Sequence, residues 1–262
     1  IEGFRPGDGQ TFLKAAEQIV KSGRTVIAYR SGRTAEGASA SASHTASMAG
    51  EYAITRELFQ NAGVVVADTI SDFQDLIKLF TYLKDKKTTG DKLGAISNAG
   101  FECVAFADHL GSFKLAPFAQ STKVKLENVF KTAGIGDIVD VHNPLDLTPM
   151  AHDSAYDETV RAVLADENVD AAIVGCVPIT PGVQTLESAA NHSENFASPT
   201  ALGSRLLKIF KENPKPWVAV IDGGALYDKL SAFLDEGGLP TFRTADRALR
   251  LFSKFQQRRM TK

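Results

Sequence analysis

The sequence predicts an α/β protein built on parallel β-sheets, and three observations lead to this class. First, short apolar runs such as residues 25–29, 170–177 and 216–221 have the length of buried strands. Second, the longer segments between these runs carry apolar residues at helical spacing, so that each has one apolar face. Third, strands and helices alternate along the chain, which is typical of parallel sheets covered by helices on both faces.

Composition and charge narrow the class of protein further. The 262 residues are 44% hydrophobic and 23% charged, as in a soluble globular protein, and they suffice for one large domain or two ordinary ones. The formal charge of -2 at pH 7 gives no reason to expect a nucleic-acid or anionic-membrane partner. No apolar run approaches the length that crosses a bilayer. Cys103 and Cys176 lie in apolar surroundings, which favours reduced thiols in a cytoplasmic protein.

The first part of the chain predicts an incomplete domain. Its expected elements are a helix over 11–20 capped by Asp8 or Gly9, a strand over 25–29, a helix over 51–62, a strand over 63–67 and a helix over 71–86. Two strands are too few for a complete sheet of this class. Because the sequence also starts with Ile1 rather than Met, we expect an N-terminally truncated domain cut from a longer protein.

The second part predicts a complete domain. The charged segment 84–92 lacks apolar periodicity and is interpreted as the boundary between a domain at 1–87 and another at 91–262. Strands are expected at 93–97, 114–118, 170–177, 216–221 and 239–242, and residues 138–141 are expected to lead into a loop at 142–148. Helices are expected at 101–111, 122–133 (capped by Ser121), 154–166, 199–212, 226–234 and 245–257. Residues 180–198 are expected to form a mobile loop or a short helix. This number of strand–helix units indicates a flavodoxin-like fold.

Residues 30–50 stand apart from the rest of the chain. They form a run of about twenty mostly Gly, Ala and Ser residues with His44 near the end, and we expect a long, mobile loop because small side chains bury little surface. Such a loop could carry a histidine from one site to another. A surface loop with an incidental histidine explains the composition equally well.

Four ordered segments of the chain share motifs with one family. Residues 30–50 contain Arg-Ser-Gly-Arg, a Gly/Ala/Ser spacer and Ser-His-Thr followed by Met-Ala-Gly; the others are Ser-Asn-Ala-Gly at 97–100, Asn-Pro-Leu-Asp-Leu-Thr at 143–148 and Pro-Thr-Phe-Arg-Thr-Ala-Asp-Arg-Ala at 240–248. In this order and spacing the chain resembles the nucleoside-diphosphate-forming acyl-CoA synthetases, relatives of succinyl-CoA synthetase, with ADP-forming acetyl-CoA synthetase as the nearest type. Residues 30–50 resemble the phosphohistidine loop of that family.

The resemblance implies an acid–thiol ligase that interconverts acyl-CoA, ADP and phosphate with a carboxylic acid, CoA and ATP. His44 would carry the phosphoryl group, and Glu2 would fix the tautomer of its ring; a surface charge at a strand end is the plainer interpretation of Glu2. The helix start at Asn98, Ala99, Gly100 and Phe101 would bind phosphate through its backbone N–H groups. Asn143 and Asp146 would line the same cleft, although a turn cap explains them as well.

The sequence departs from the family pattern at two places. The family's Gly-Gly-Pro-Gly is Gly100-Phe101-Glu102-Cys103 here, so we expect bulk and a carboxylate at the helix start, where the negative charge would repel phosphate. Ala46 stands where the family usually has glycine, which stiffens the loop. These changes favour the alternative of a non-catalytic regulatory module, as in the CoA-ligase-like halves of protein acetyltransferases. A scaffold for oligomerisation is a third alternative.

Other cofactors and partners follow from the resemblance. His109, His142, His152 and His192 lack paired metal-ligand spacing and neither cysteine lies in a CxxC, so no metal site is predicted in this chain. Neither a GxGxxG after a strand nor a P-loop occurs. The CoA-binding Rossmann domain, and the ATP-grasp domain that binds ADP or ATP with magnesium, would therefore come from other sequence or another subunit of an oligomer. The acyl group cannot be identified, and neither nucleic acid nor membrane is an expected partner.

Overall fold

The computed structural model describes residues 1–45 and 51–260, with only the backbone of His44 and Thr45. Within these residues the chain divides into two compact units, 1–81 and 82–260. The division falls in the last turn of a helix, ahead of the charged segment 84–92. In the described part of the chain, no helix has the length and apolar character needed to cross a membrane.

The first unit is a two-stranded parallel sheet with helices. Its elements are α1 (Asp8–Lys21), β1 (Ile27–Tyr29), α2 (Ala35–Thr45), α3 (Tyr52–Asn61), β2 (Val65–Ala67) and α4 (Ile70–Tyr82). β1 and β2 pair with Ile27 opposite Val65. The core of the unit centres on Phe59, whose ring lies 4.9 Å from the ring of Phe12 and 6.1 Å from that of Phe4. The predicted strands and helices outside residues 30–50 are present, with ends shifted by a few residues.

The expected long loop at residues 30–50 is wrong over 35–45, because these residues form the helix α2. Small side chains suggest a flexible segment because they bury little surface. However, alanine has the highest helix propensity of all residues, and four of the eleven positions are alanine. The helix also has an N-terminal cap, described below. The remaining residues of the predicted loop, 46–50, lie outside the described residues, and with them Ala46.

The second unit is a parallel sheet covered by helices. Its elements are β3 (Lys92–Ser97), α5 (Gly100–Asp108), β4 (Lys114–Leu115), α6 (Gln120–Thr132), β5 (Leu145–Asp146), α7 (Asp153–Ala165), β6 (Ala171–Cys176), α8 (Leu202–Glu212), β7 (Trp217–Ile221), α9 (Asp228–Glu236), β8 (Thr241–Phe242) and α10 (Ala245–Met260). A turn of 3-10 helix at Ala225–Tyr227 precedes α9. The strand order is β4-β3-β6-β7-β8. With β5 left aside, this is the 2-1-3-4-5 order of flavodoxin-like folds, as predicted.

Two details of the second unit differ from the prediction. Residues 142–148 are not entirely a loop, because the short β5 lies within them and pairs with the end of β3, Ser97 lying opposite Asp146. Ser121 does not cap α6: the N-cap is Ala119, whose N–H donates to Asp166 Oδ2 at 2.9 Å. That acceptor is 47 residues away in sequence, so local pattern could not identify it. Residues 180–198 are irregular apart from one antiparallel bridge between Ala189 and His192.

Asn143 explains why β5 pairs where it does. Its side-chain oxygen accepts the N–H of Ala95 at 3.0 Å, and its Nδ2 donates to the carbonyls of Leu93 (2.8 Å) and Ala116 (3.0 Å). The side chain thus supplies β3 with hydrogen bonds that a neighbouring strand would otherwise make. Asn143 is therefore part of the sheet.

Replacing Asn143 with alanine is expected to lower the free energy of unfolding of the second unit by about 2–4 kcal/mol, because the N–H of Ala95 and the carbonyl of Ala116 lose their bonds to Asn143. The carbonyl of Leu93 also loses a bond but keeps the N–H of Ala116 as a donor. Chemical unfolding followed by tryptophan fluorescence measures this, since the single tryptophan, Trp217, lies buried in β7. His142→Ala, at the adjacent exposed position, serves as the control and should change stability by less than about 0.5 kcal/mol. Equal effects of the two substitutions would contradict this role of Asn143.

Candidate active site

The position of His44 is set by the way α2 begins. After β1 the chain turns at Gly32, which has a φ of 79°, a conformation that suits glycine. Thr34 then caps the helix: its Oγ1 accepts the N–H of Gly37 at 3.1 Å, and its carbonyl accepts the N–H of Ala38 at 2.8 Å. The helix runs to Thr45, so the backbone of His44 lies in its last turn. The imidazole itself lies outside the described atoms.

A hydrogen bond joins α2 to the backbone of Glu2. Ser41, which is buried, donates through Oγ to the carbonyl of Glu2 at 3.0 Å. Positions 41 and 44 are three residues apart and therefore share a face of the helix. The Glu2 side chain is exposed. The first unit thus holds both of its predicted site residues, and Ser41 fastens the end of α2 that carries His44 to the Glu2 segment.

Arg30 is a residue of this region that the sequence analysis did not single out. It follows β1 and is almost fully buried; its Nη1 donates to the carbonyl of Ser31 at 2.6 Å, and its guanidinium carbon lies 6.0 Å from the ring centroid of Tyr52. Burial lowers the pKa of its guanidinium. Arg30 therefore packs the turn between β1 and α2. The only sequence signal was its place at the head of the Arg-Ser-Gly-Arg motif.

Replacing Thr34 with alanine is expected to loosen α2, because the N–H of Gly37 loses its acceptor. Loss of an N-cap typically costs about 1 kcal/mol. Hydrogen exchange of the α2 amides should therefore speed up by roughly fivefold in Thr34→Ala, since 1.4 kcal/mol is a factor of ten. Thr34→Ser keeps the hydroxyl and should exchange at the rate of the wild type. Unchanged exchange in the alanine variant would show that Thr34 does not hold the helix start.

In the second unit, two backbone N–H groups in the turn from β3 to α5 have no acceptor among the residues that the structure describes. The buried Asn98 spans the neighbouring strand end: its Nδ2 donates to the carbonyl of Val177 at 2.9 Å, and its Oδ1 accepts the N–H of Val177 at 2.8 Å. The N–H of Ala99 donates to Ser97 Oγ at 3.2 Å. The N–H groups of Gly100 and Phe101, in the first turn of α5, have no acceptor within the helix. These two groups can bind an anion, with the helix dipole adding to the attraction.

The structure corrects the expectation that Glu102 places a negative charge at this helix start. Its side chain turns into the interior and is almost fully buried, with Oε2 accepting the hydroxyl of Ser97 at 2.5 Å. It fills the space beside Gly175 of β6, where a Cβ would collide with its carboxyl group. Burial raises the pKa of Glu102 to about 8, the charge of Asp222 adds to this, and the Ser97 hydrogen bond opposes it. At neutral pH the carboxyl is therefore mostly protonated, and it does not repel an anion at α5.

Asp146 is the carboxylate that does approach the helix start. Its Oδ2 lies 3.0 Å from the point where a Cβ on Gly100 would stand, and its Oδ1 accepts the N–H of Thr148 at 2.8 Å. A side chain at position 100 would therefore crowd Asp146. The structure brings Asp146 together with the predicted phosphate-binding residues Asn98, Ala99, Gly100 and Phe101. The side chain of Asn143 is instead hydrogen-bonded to the backbone of β3 and of Ala116.

Metal binding finds no support in the part of the chain that the structure describes. Among residues 1–45 and 51–260, no three His, Cys, Asp or Glu side chains are grouped so as to hold a metal ion. Burial raises the pKa of the Cys103 thiol to about 12 and that of Cys176 further still, with nearby carboxylates adding to both. These thiols are therefore protonated at neutral pH and are poor nucleophiles.

The sequence is similar to those of several known proteins. Residues 1–80 match the family model described as succinyl-CoA ligase like flavodoxin domain. The α subunit of an ADP-forming acetate–CoA ligase II from Pyrococcus furiosus is 30% identical in an alignment of 262 positions, which covers 98% of this chain and 52% of that protein. The α subunit of ligase I from the same organism is 27% identical, covering 97% of this chain and 50% of that one.

Solved structures are similar as well. The acetyl-coenzyme A synthetase 1 of Ca. Korarchaeum cryptofilum, determined in complex with phosphate and ADP, superposes with a TM-score of 0.78 and 25% identity, over 100% of this chain and 53% of that one. Residues 1–80 thus fall in the succinyl-CoA ligase-like class of flavodoxin domains. More narrowly, the whole chain is similar to the α subunits of ADP-forming acetate–CoA ligases and to a solved acetyl-coenzyme A synthetase. It spans about half the length of the curated relatives it matches.

Proposed function

We propose that this chain is the phosphohistidine-bearing part of an acyl-CoA synthetase of the ADP-forming (NDP-forming) type. The observation that carries the proposal is that the backbone of His44, in the family's motif, lies in the last turn of a capped helix that is hydrogen-bonded to the Glu2 segment. The open N–H groups of Gly100 and Phe101 support the proposal, because they could hold the phosphate. Phosphate and ADP accompany the Korarchaeum relative in its solved structure.

The proposed reaction has three steps. Phosphate attacks the thioester carbon, so that a C–O bond forms, the C–S bond breaks, and CoA leaves with the proton that phosphate gives up. The imidazole of His44 then attacks phosphorus, which forms a P–N bond, breaks the P–O bond and releases the carboxylate. Finally the terminal oxygen of ADP attacks the same phosphorus, the P–N bond breaks, and ATP is formed.

Residues of this chain have distinct roles in these steps. The neutral ring of His44 supplies the nucleophilic nitrogen, and the carboxylate of Glu2 would hold the proton on the other nitrogen. Backbone N–H groups at the start of α5 stabilise the charge on the transferring phosphoryl group, which is the main requirement of such chemistry. CoA would bind to a Rossmann domain, and ADP with magnesium to an ATP-grasp domain, in other sequence or another subunit of an oligomer.

The alternative is a regulatory module without catalysis. Phe101, exposed at a helix start where the family has glycine, favours it. The other departure, Glu102, does not, because its carboxyl group is buried and mostly neutral.

Labelling separates the two functions. The full-length protein, assembled with its nucleotide-binding domain or subunit, is incubated with radiolabelled phosphate and an acyl-CoA. The enzyme is expected to become labelled on protein in a form that acid removes and base does not, as a phosphohistidine behaves. Absence of any such label with a series of acyl-CoAs would contradict the proposed function and favour the regulatory one.

A further inference from the structure

Four strongly exposed apolar side chains follow the carboxyl ends of the parallel strands in the second unit. Phe101 follows β3, Met150 follows β5, Ile179 follows β6 and Leu226 follows β7, with 61%, 62%, 71% and 70% of their surface exposed. We call this set the apolar rim. Large apolar side chains this exposed in one region generally mark a surface that binds something. Ligands of open parallel sheets bind at this end of the strands.

The loops that carry the rim contact one another around the start of α5. Asn98 bonds to both backbone groups of Val177, two residues before Ile179. The segment of Met150 packs on Gly182, where a Cβ would collide with the carbonyl of Ala151. The segment before Leu226 packs on Pro178, where a Cβ on Gly223 would collide with the proline ring. The rim residues therefore project from adjoining loops of one surface.

We infer that the apolar rim, with Phe101 foremost, selects the acyl group of the substrate and favours apolar acyl groups larger than acetyl. The inference rests on the proposed function. In an acyl phosphate the acyl carbon is joined to phosphorus through a single oxygen, so the acyl group begins beside the bound phosphate. Phe101 is the second residue of the helix whose first N–H groups would bind that phosphate. Its ring is thus the apolar group placed to meet the acyl chain.

Branched and aryl acyl groups fit this surface better than acetyl, which has a single methyl group to bury. Burying one methylene in an apolar site changes specificity by about tenfold or more. A partner domain could also cover the rim. In that case truncating Phe101 would weaken assembly and slow the reaction with every acyl-CoA to the same extent.

The test compares kcat/KM for acetyl-CoA, isobutyryl-CoA and phenylacetyl-CoA, with phosphate and ADP, in the full-length enzyme assembled with its nucleotide-binding part. The wild type is expected to prefer the larger thioesters. Phe101→Ala should lower the ratio of kcat/KM for phenylacetyl-CoA to that for acetyl-CoA by about tenfold or more. Ile179→Ala should act in the same direction. Val124→Ala, half-exposed on α6, is the control and should leave the preference unchanged.

Three other results would contradict the inference. Turnover with a preference that neither Phe101→Ala nor Ile179→Ala alters would overturn the inference and leave the proposed function standing. An equal loss for all thioesters, together with weaker assembly by light scattering, would overturn it in favour of a domain contact. A wild type that turns over no acyl-CoA would contradict the proposed function, and the inference with it.

Discussion

Replacing His44 with alanine is expected to abolish ATP formation, with a loss of at least about a thousandfold, because the phosphoryl group loses its carrier. The first step of the proposed reaction does not use the imidazole. The variant should therefore still release CoA from acyl-CoA when phosphate is supplied, and acyl phosphate should accumulate to about one equivalent of enzyme. Thiol release and acyl phosphate, measured beside ATP, separate the two steps.

His109 offers the matched control for His44. It is an exposed histidine at the end of α5, and its Nδ1 lies 2.9 Å from the carbonyl of Ala105. His109→Ala should form ATP at nearly the wild-type rate. A His44→Ala variant that forms ATP normally would end the proposal that this residue carries the phosphoryl group. The isolated chain is expected to show no turnover, because the CoA and nucleotide sites would lie elsewhere.

The stability of the second unit is expected to fall as pH rises, and Glu102 is the cause. Its pKa is raised by burial to about 8 from an ordinary value of 4.5, so the folded state holds this proton more tightly than the unfolded chain. The stabilisation is complete below about pH 4.5 and is lost as the pH rises through 8. A tenfold difference in proton affinity between the folded and unfolded states corresponds to about 1.4 kcal/mol, so the loss of stability should amount to a few kcal/mol.

Glu102→Gln should remove this part of the pH dependence, because an amide cannot ionise. Above about pH 8 the variant should be more stable than the wild type, and near pH 5 the two should differ little. Free energies of unfolding from urea titrations between pH 5 and 9 measure the effect. Glu127→Gln, an exposed position on α6, is the control and should keep the wild-type slope. Parallel curves for Glu102→Gln and the wild type would show that the buried carboxyl is not the cause.

The groups that face Glu102 do not explain the expected loss of stability in this pH range. Ser97 does not titrate there, and burial raises the pKa values of Tyr156 and Cys176 well above their ordinary ones. The Cys103 thiol has its pKa raised to about 12, chiefly by burial. Asp222 and Asp146 lie near enough to act by charge: Asp222 raises the pKa of Glu102, and Asp146 that of Cys103. Glu102 is therefore the buried group of this cluster that changes charge near pH 8.

Sequence pattern predicted the fold well where burial follows local periodicity. The all-apolar runs around β6 and β7 could be identified because both faces of these strands are buried. Pattern failed for α2, where helix propensity and the Thr34 cap outweighed small side chains. It failed for β5 as well, because a two-residue strand beside Asn143 has no periodicity to detect.

The candidate site was predictable only in part. The motifs identified His44 and the start of α5 as sequence positions. They could not show that Glu102 turns inward, since that depends on the space at Gly175, 73 positions further along and on another strand. The burial of Arg30 and the bond from Ser41 to Glu2 likewise depend on contacts between distant segments.

The clamp between Asn98 and Val177 has one more consequence. The Asn98 side chain is bound to backbone, and the Ala99 N–H is bound to Ser97. The groups left to bind an anion are therefore the backbone N–H groups of positions 100 and 101, which do not depend on the side chains at these positions. Recognition of charge is thereby uncoupled from side-chain identity. Side chains around the start of α5 can therefore change without loss of the anion-binding backbone groups, as Phe101 in place of a glycine shows. Proteins that share this chemistry could in this way come to act on different carboxylic acids.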